Sequence, residues 1–204
     1  MKEKILLIGG GGHCKSCIDV LEQEDKYQIA GIVDVPEKLR HTVLGYRIIG
    51  TDEDLPDLRK DFKNYLITFG QIKSAEKRRI LFKDVKRLGG ILPVIVSPSA
   101  YVSRHAKVEE GTIIMHYAFV NAGARIGKNC IINSKAVIEH DAVIGDNCHI
   151  STGAVVNGGV NIGNGTFFGS NSVSKEYLTI GNNSVVGCGV TVIRDIPASS
   201  IKKS

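Results

Sequence analysis

From Val102 to Val192 an apolar residue returns at every sixth position, and this period constrains the fold more than any other feature. The series runs Val102, Val108, Ile114, Val120, Ile126, Ile132, Ile138, Ile144, Ile150, Val156, Ile162, Phe168, Ser174, Ile180, Val186, Val192, and only Ser174 is polar. Six residues are too few for a helical solenoid repeat and too many for simple strand alternation. They fit a parallel β-helix built from hexapeptide repeats. A second series lies two residues earlier, from Ala100 through Ala118, Cys130, Ala142 and Cys148 to Val190, and most of its members are small. Residues two apart on a strand share a face, so each hexad sends one small and one larger side chain inward. Glycine often follows the apolar residue, as at Gly127, Gly145, Gly163 and Gly181, where a corner needs its backbone freedom. No hexad can bury its apolar face alone, so the hexads must stack. Around Ser174 the chain is expected either to bulge, over Ser174-Lys-Glu-Tyr177, or to carry a polar residue inside the core.

The residues before this region read as a small α/β unit. Lys4 to Ile8 has the continuous apolar character of a buried parallel strand. Gly9-Gly-Gly-Gly12 follows, and a helix is expected from Ser16 through Leu21. Strand, glycine turn and helix in this order form a mononucleotide-binding arrangement, with phosphate held at the helix N-terminus. A second strand, Ile29 to Val33, ends at Asp34, a position where a carboxylate often holds a ribose hydroxyl. The third glycine of a full dinucleotide fingerprint is replaced by Cys14. Tyr65 to Phe69 and Ile91 to Val96 read as further strands. Between them Ser74 is expected to cap a helix running to Leu88, with Leu81, Val85 and Leu88 on one face. The expected domains are 1–96, Rossmann-like, and 97–204, the β-helix.

A formal net charge of +5 suits a small anionic ligand and is modest for a nucleic-acid binder. No apolar stretch is long enough to span a membrane, and Ile5 to Ile8 is too short for a signal-peptide core, so a cytoplasmic location is expected. The five cysteines do not suggest a disulfide framework. Cys14-Lys-Ser-Cys17 lacks a thioredoxin-like context and reads as two small residues at a helix start.

The combination of Gly9-Gly-Gly-Gly-His13, Asp34, Asn133, Ile138-Glu-His-Asp141, Cys148-His-Ile-Ser151 and Gly158 resembles the NeuD/PglD-like sugar O- and N-acetyltransferases, a family of hexapeptide-repeat acyltransferases. The resemblance covers nearly the whole chain. It implies a left-handed β-helix with three hexads per coil, a homotrimer with acetyl-CoA bound between adjacent subunits, and no metal. It also implies that the N-terminal domain binds a UDP-sugar or related amino sugar rather than NAD. Three hexads per coil would stack Gly158 over His140 and Cys148 over Cys130. By the same resemblance His140 is the general base, assisted by Asp141, with Asn133 near it and Gly158 offering its N–H to the thioester oxygen. His149, Gly158, Ser170 and Cys188 would contact the cofactor. Gly9, Gly11, Gly12, His13 and Asp34 would contact the substrate. Neutral imidazole suits proton abstraction near pH 7. Asp141 can reach His140 only where a corner bends the chain, and Glu139 is the competing carboxylate. The usual small-residue and proline closing motif is missing near the C-terminus, where Lys202 and Lys203 could meet CoA phosphates. His41, His105 and His116 are expected at ordinary surface positions.

The expected function is acetyl-CoA-dependent N-acetylation of a UDP-4-amino-sugar by direct transfer, in surface glycan or nonulosonic acid biosynthesis. O-acetylation of a sialic-acid-type sugar is the near alternative. A zinc-dependent hydratase, drawing on His105, His116, His140 and His149, and a non-catalytic sugar-nucleotide-binding β-helix are more distant ones.

Overall fold

The computed structural model describes residues 2–203. The N-terminal unit contains β1 (Glu3–Ile8), α1 (Gly12–Glu24), β2 (Tyr27–Val33), β3 (Thr42–Val43), β4 (Tyr46–Gly50), α2 (Leu55–Asp61), β5 (Asn64–Ile67) and α3 (Glu76–Arg87). The sheet order is β3-β4-β2-β1-β5. Only β3 runs antiparallel to its neighbour. Burial on both faces explains the unbroken apolar run Ile5 to Ile8, each residue 0% exposed. Helix α1 starts at Gly12, directly on the glycine turn and four residues before the expected Ser16. At α3, Ser74 Oγ accepts the Glu76 N–H (3.1 Å), while Ala75 occupies the N-cap position.

The rest of the chain is a three-faced parallel β-helix whose two-residue strands pair eighteen residues apart, as Val137–Ile138 do with Val155–Val156. The three sheets have seven, six and five strands. The inward series form one continuous core, from Ile114 and Ala118 to Val192 and Ile196. Cys130 and Cys148 are stacked in it, with the Cys148 N–H donating to Cys130 Sγ (3.4 Å). Close stacking excludes side chains at some corners: a Cβ on Gly145 would lie 2.8 Å from the Asn164 nitrogen. Ser174 causes no bulge. It is 1% exposed, and Val173–Ser174 still pairs with Thr191–Val192.

The outward positions distinguish the three faces. One carries Lys107, Arg125, Val143, Asn161 and Thr179 and is mostly polar. A second carries Tyr101, Phe119, Val137, Val155 and Val173, which are half-buried apart from the exposed Tyr101. The third carries Ile95, Ile113, Ile131, His149 and Phe167, and all five are buried. On this docked face Ile95, Ile113, Met115 and Ile131 share one cluster with Ile5, Leu7, Cys14, Cys17 and Ile18. Burying each such isoleucine stabilises the docked state by roughly 1.5–3 kcal/mol. The strand expected over Ile91 to Val96 is therefore split. Ile91 makes a single bridge to Asn64, whereas Ile95–Val96 pairs with Ile113–Ile114 as the first strand of the docked face. Pro93 lacks the N–H that a continuous ladder would use.

Arg78 of α3 secures the junction. Its side chain is buried, and Nη1 donates to the Ile67 and Phe69 carbonyls (2.8 and 2.7 Å). Nη2 donates to Asn129 Oδ1 (2.8 Å) and the Asn129 carbonyl (3.2 Å) across the domain boundary. Burial lowers its pKa to about 10, so it stays charged at neutral pH while held by carbonyl dipoles. A second link uses His116, expected as a surface residue. Its Nε2–H donates to Asp19 Oδ2 on α1 (2.7 Å), and its Nδ1 lies 2.7 Å from Ser97 Oγ.

Replacing Arg78 with Ala strands these acceptors and opens a void. Arg78→Ala should destabilise the protein by about 2–4 kcal/mol in urea unfolding. A loss below about 1 kcal/mol, the scale of an ordinary surface change, would remove Arg78 as the junction.

Candidate active site

The first group of expected residues lies on the corner between the apolar and polar faces. Ile138 points into the core, and Glu139, His140 and Asp141 turn the corner. Asp141 has φ 60°, a left-handed conformation that aspartate tolerates better than most residues. This bend lets adjacent side chains meet, and His140 Nδ1–H donates to Asp141 Oδ2 (3.0 Å). Glu139 is engaged elsewhere: its Oε2 accepts from Asn121 Nδ2 (2.7 Å) and the His140 N–H (3.3 Å). Asp141 is thus the carboxylate that fixes the ring, leaving Nε2 with a lone pair. Gly158 stacks on this ring one coil away. A Cβ there would sit 2.6 Å from His140 Nε2, so only glycine fits against the imidazole as placed. Gly158 is buried, and its N–H has no hydrogen-bond partner among the described residues.

The second group lies across the apolar face, on the docked face and its adjoining corner. His149 points away from the β-helix core, as its place before Ile150 implies, but it is buried under the N-terminal domain. Its Nδ1–H donates to the Gln71 carbonyl (2.6 Å), and its Nε2 accepts from Asn133 Nδ2 (3.0 Å). The Phe167 ring meets it edge-on at 5.2 Å, and the His13 ring is 6.5 Å away. Burial lowers the His149 pKa to about 4, opposed by the bond to Gln71 and helped by the Arg78 charge. Burial, with Arg78 and His149, lowers that of His13 to about 3. His13 Nε2 is buried without a hydrogen-bond partner among the described residues. Within one subunit Asn133 meets His149 and lies on the opposite edge of the apolar face from the His140 corner. Ser170 and Cys188 continue the same corner: Ser170 is half-buried and bonded to Ser151 Oγ (2.9 Å), and Cys188 is an exposed thiol.

The glycine turn is the third element. Gly11 caps α1, and a Cβ on Gly11 or Gly12 would meet nothing, so this helix N-terminus is open. Asp34 is 4% exposed. Its Oδ2 accepts from the Gly10 N–H (2.7 Å) and Lys38 Nζ (2.9 Å), and its Oδ1 accepts from the Val35 N–H (2.8 Å). Burial alone would raise its pKa, but Lys38 and the two N–H groups outweigh that and hold it low. Here Asp34 shapes the turn. Cys14 and Cys17 are buried at the start of α1, and burial raises both thiol pKa values, that of Cys14 to about 11. They are poor nucleophiles, in keeping with the non-redox reading.

Gln71, Phe167 and Arg78 escaped the sequence reading. Phe167 and His149 share an outward position eighteen residues apart on the docked face, a signal that was present. Gln71 and Arg78 acquire their partners only when the domains meet.

The family described as the PglD N-terminal domain matches residues 4–85. Bacterial transferase hexapeptide repeats match 105–140 and 141–173, and a hexapeptide repeat of succinyl-transferase matches 159–194. A histidine-to-asparagine variant of perosamine N-acetyltransferase from Caulobacter crescentus, solved with CoA and GDP-perosamine, is 33% identical. That match covers 97% of this chain and 92% of the other, with a TM-score of 0.92. The acetyltransferase domain of PglB from Neisseria gonorrhoeae, solved with acetyl coenzyme A, is 29% identical. It covers 98% of this chain and 96% of that one, with a TM-score of 0.90. WeeI from Acinetobacter baumannii shares the fold at 22% identity and a TM-score of 0.88, over 98% of this chain and 96% of its own. Curated protein sequences gave no match. The chain belongs to the NeuD/PglD-like sugar acetyltransferases. It is an acyltransferase.

The lowered pKa of His149 has a stability consequence. Its folded pKa of about 4 lies below the ordinary value of 6.5, so its contribution is intact above pH 6.5. As pH falls from 6.5 towards 4 the unfolded chain takes up the proton first, removing about 1.4 kcal/mol per pH unit. Urea midpoints measured between pH 7 and 5 should fall, and His149→Asn should flatten the fall. An identical pH slope in the variant would show that His149 is not buried in its neutral form.

Proposed function

We propose that this enzyme N-acetylates a nucleotide-linked amino sugar, taking the acetyl group directly from acetyl-CoA with His140 as general base. The observation that carries the reading is the His140 corner: a ring oriented by Asp141, its Nε2 against Gly158, and a Gly158 N–H with no partner among the described residues. The sugar amine must arrive neutral, because an ammonium has no lone pair. As its nitrogen attacks the thioester carbonyl, His140 Nε2 takes the proton and Asp141 stabilises the imidazolium. The Gly158 N–H donates to the oxygen that gains charge. The C–N bond forms, the C–S bond breaks, and CoA departs as a thiolate, for which a thiol pKa of about 8.5 requires little acid help.

The relatives support both substrates, since one was solved with CoA and GDP-perosamine and another with acetyl coenzyme A. The open α1 N-terminus would receive the diphosphate. A UDP-linked 4-amino-sugar is our preferred acceptor, and the GDP-linked sugar bound by the Caulobacter protein makes the base a matter for direct assay. A homotrimer would complete the site. His140 and Gly158 lie on one edge of the apolar face, and Asn133, Ser170 and Cys188 lie on the other. Packing that face, with its stacked Tyr101 and Phe119 rings (5.0 Å), against neighbouring subunits would bring the two edges together. Two histidines that a zinc hydratase would recruit, His116 and His149, already hold interdomain hydrogen bonds.

Purified protein with acetyl-CoA should release CoA in the presence of a UDP- or GDP-linked amino sugar. Release only with a sialic-acid-type acceptor would favour O-acetylation, and no release with any amino sugar would end the proposal. His140→Ala should cut kcat by about 10²–10⁴ without shifting the thermal midpoint. Sedimentation should give the mass of three chains.

A further inference from the structure

The one polar residue in the Val102–Val192 series, Ser174, lies one coil from the candidate oxyanion donor. On the apolar face, the residue after each inward position donates its N–H to a backbone carbonyl of the next coil. Ser103 donates to Val120, Asn121 to Ile138 and Glu139 to Val156, each at 2.9 Å, and Lys175 donates to Val192 at 2.7 Å. Asn157 departs from this pattern. Its N–H donates to the Ser174 hydroxyl (3.0 Å), and its side-chain Nδ2 donates to the Ser174 carbonyl (2.7 Å). A carbonyl oxygen only accepts, so the amide must present its nitrogen to Ser174.

This matters because of what asparagine does at equivalent corners. Asn121 Oδ1 folds back to accept the Ala122 N–H (2.7 Å), and Asn133 Oδ1 accepts the Ser134 N–H (2.8 Å). Such local turns are the ordinary preference of asparagine at this position. Asn157 precedes Gly158 in the same way, yet the Gly158 N–H has no partner among the described residues. The amide that would cap it is held by Ser174 instead.

We propose that Ser174 and Asn157 form a positioning pair that keeps the Gly158 N–H free to receive the thioester oxygen. Ser174 is 1% exposed inside the core, so it acts through Asn157. The hydroxyl takes over the ladder bond from the Ser174 carbonyl, and that carbonyl is then available to hold the amide. With an aliphatic residue at 174, the Asn157 N–H would return to the carbonyl, as elsewhere on this face. The released amide would then cap Gly158, as Asn121 and Asn133 cap their neighbours. This inference rests on the role proposed for Gly158.

Steady-state kinetics of four variants test it. Ser174→Val completes the apolar series and should leave the thermal midpoint equal or higher, while kcat falls about 100-fold, the scale of losing one oxyanion donor. KM for acetyl-CoA and for the sugar should stay unchanged. Ser174→Thr keeps the hydroxyl and should retain turnover. Ser174→Ala, which adds no bulk, should lower kcat as Ser174→Val does. The deciding protein is the double variant Ser174→Val with Asn157→Ala: with no side-chain oxygen left to cap Gly158, most of the lost kcat should return. A purely structural loss would not recover on a second truncation. Normal kcat in Ser174→Val, or a loss that the double variant does not recover, would overturn the inference. His140→Ala, assayed alongside, separates the two failures. If it abolishes turnover while Ser174→Val is normal, only the positioning pair is wrong. If His140→Ala turns over normally, the reading of the whole corner falls.

Discussion

The docking of the α/β unit onto one face of the β-helix is the contact on which the rest of the structure depends. A β-helix strand in water has no reason to carry isoleucine outward, and the polar face carries Lys107, Arg125 and Asn161 there. Ile95, Ile113 and Ile131 are outward and buried because α1 and β1 cover them. The apolar contact gives most of the energy and little direction. Direction comes from the polar groups sealed around it. Arg78 binds carbonyls on both sides, Gln71 accepts from His149 and donates to the Asn147 carbonyl (2.9 Å), and His116 is tied to Asp19. Each is costly to leave unpaired, so the domains have one favoured arrangement.

That arrangement explains the electrostatics around His13 and His149. The buried Arg78 lies near His13 and His149, and both rings are held neutral by burial together with its charge. Neutral histidines beside a fixed cation give a site that donates and accepts hydrogen bonds without changing charge around neutral pH. The His140 corner is different in kind. Its ring and its carboxylate are both solvent-exposed, and their geometry is set by backbone bending at Asp141. One half of the candidate site is built by domain packing, and the other by the repeat.

The repeat made much of this legible in advance. Six-residue spacing determined which side chains are core, and the three-hexad coil implied by the family resemblance placed Gly158 on His140 and Cys148 on Cys130. The expectation of one strand over Ile91 to Val96 failed, because apolar runs do not reveal which sheet a strand joins. Nor did the spacing reveal that His149 is buried or that His116 bonds to the other domain. An outward-pointing histidine is exposed or buried according to what covers it, and the covering residues are distant in sequence, as Asp19 is from His116 by 97 positions.

By itself the sequence determined the β-helix, the α/β unit before it, the corner position of His140 and the family. These follow from local periodicity and short motifs, whose physics acts within a few residues or between identical coils. Only the tertiary structure decided which face is docked, which carboxylate orients His140, where Asn133 points and why Ser174 interrupts the core. Those outcomes depend on groups brought together from distant positions, where a hydrogen bond is made or lost over a fraction of an ångström.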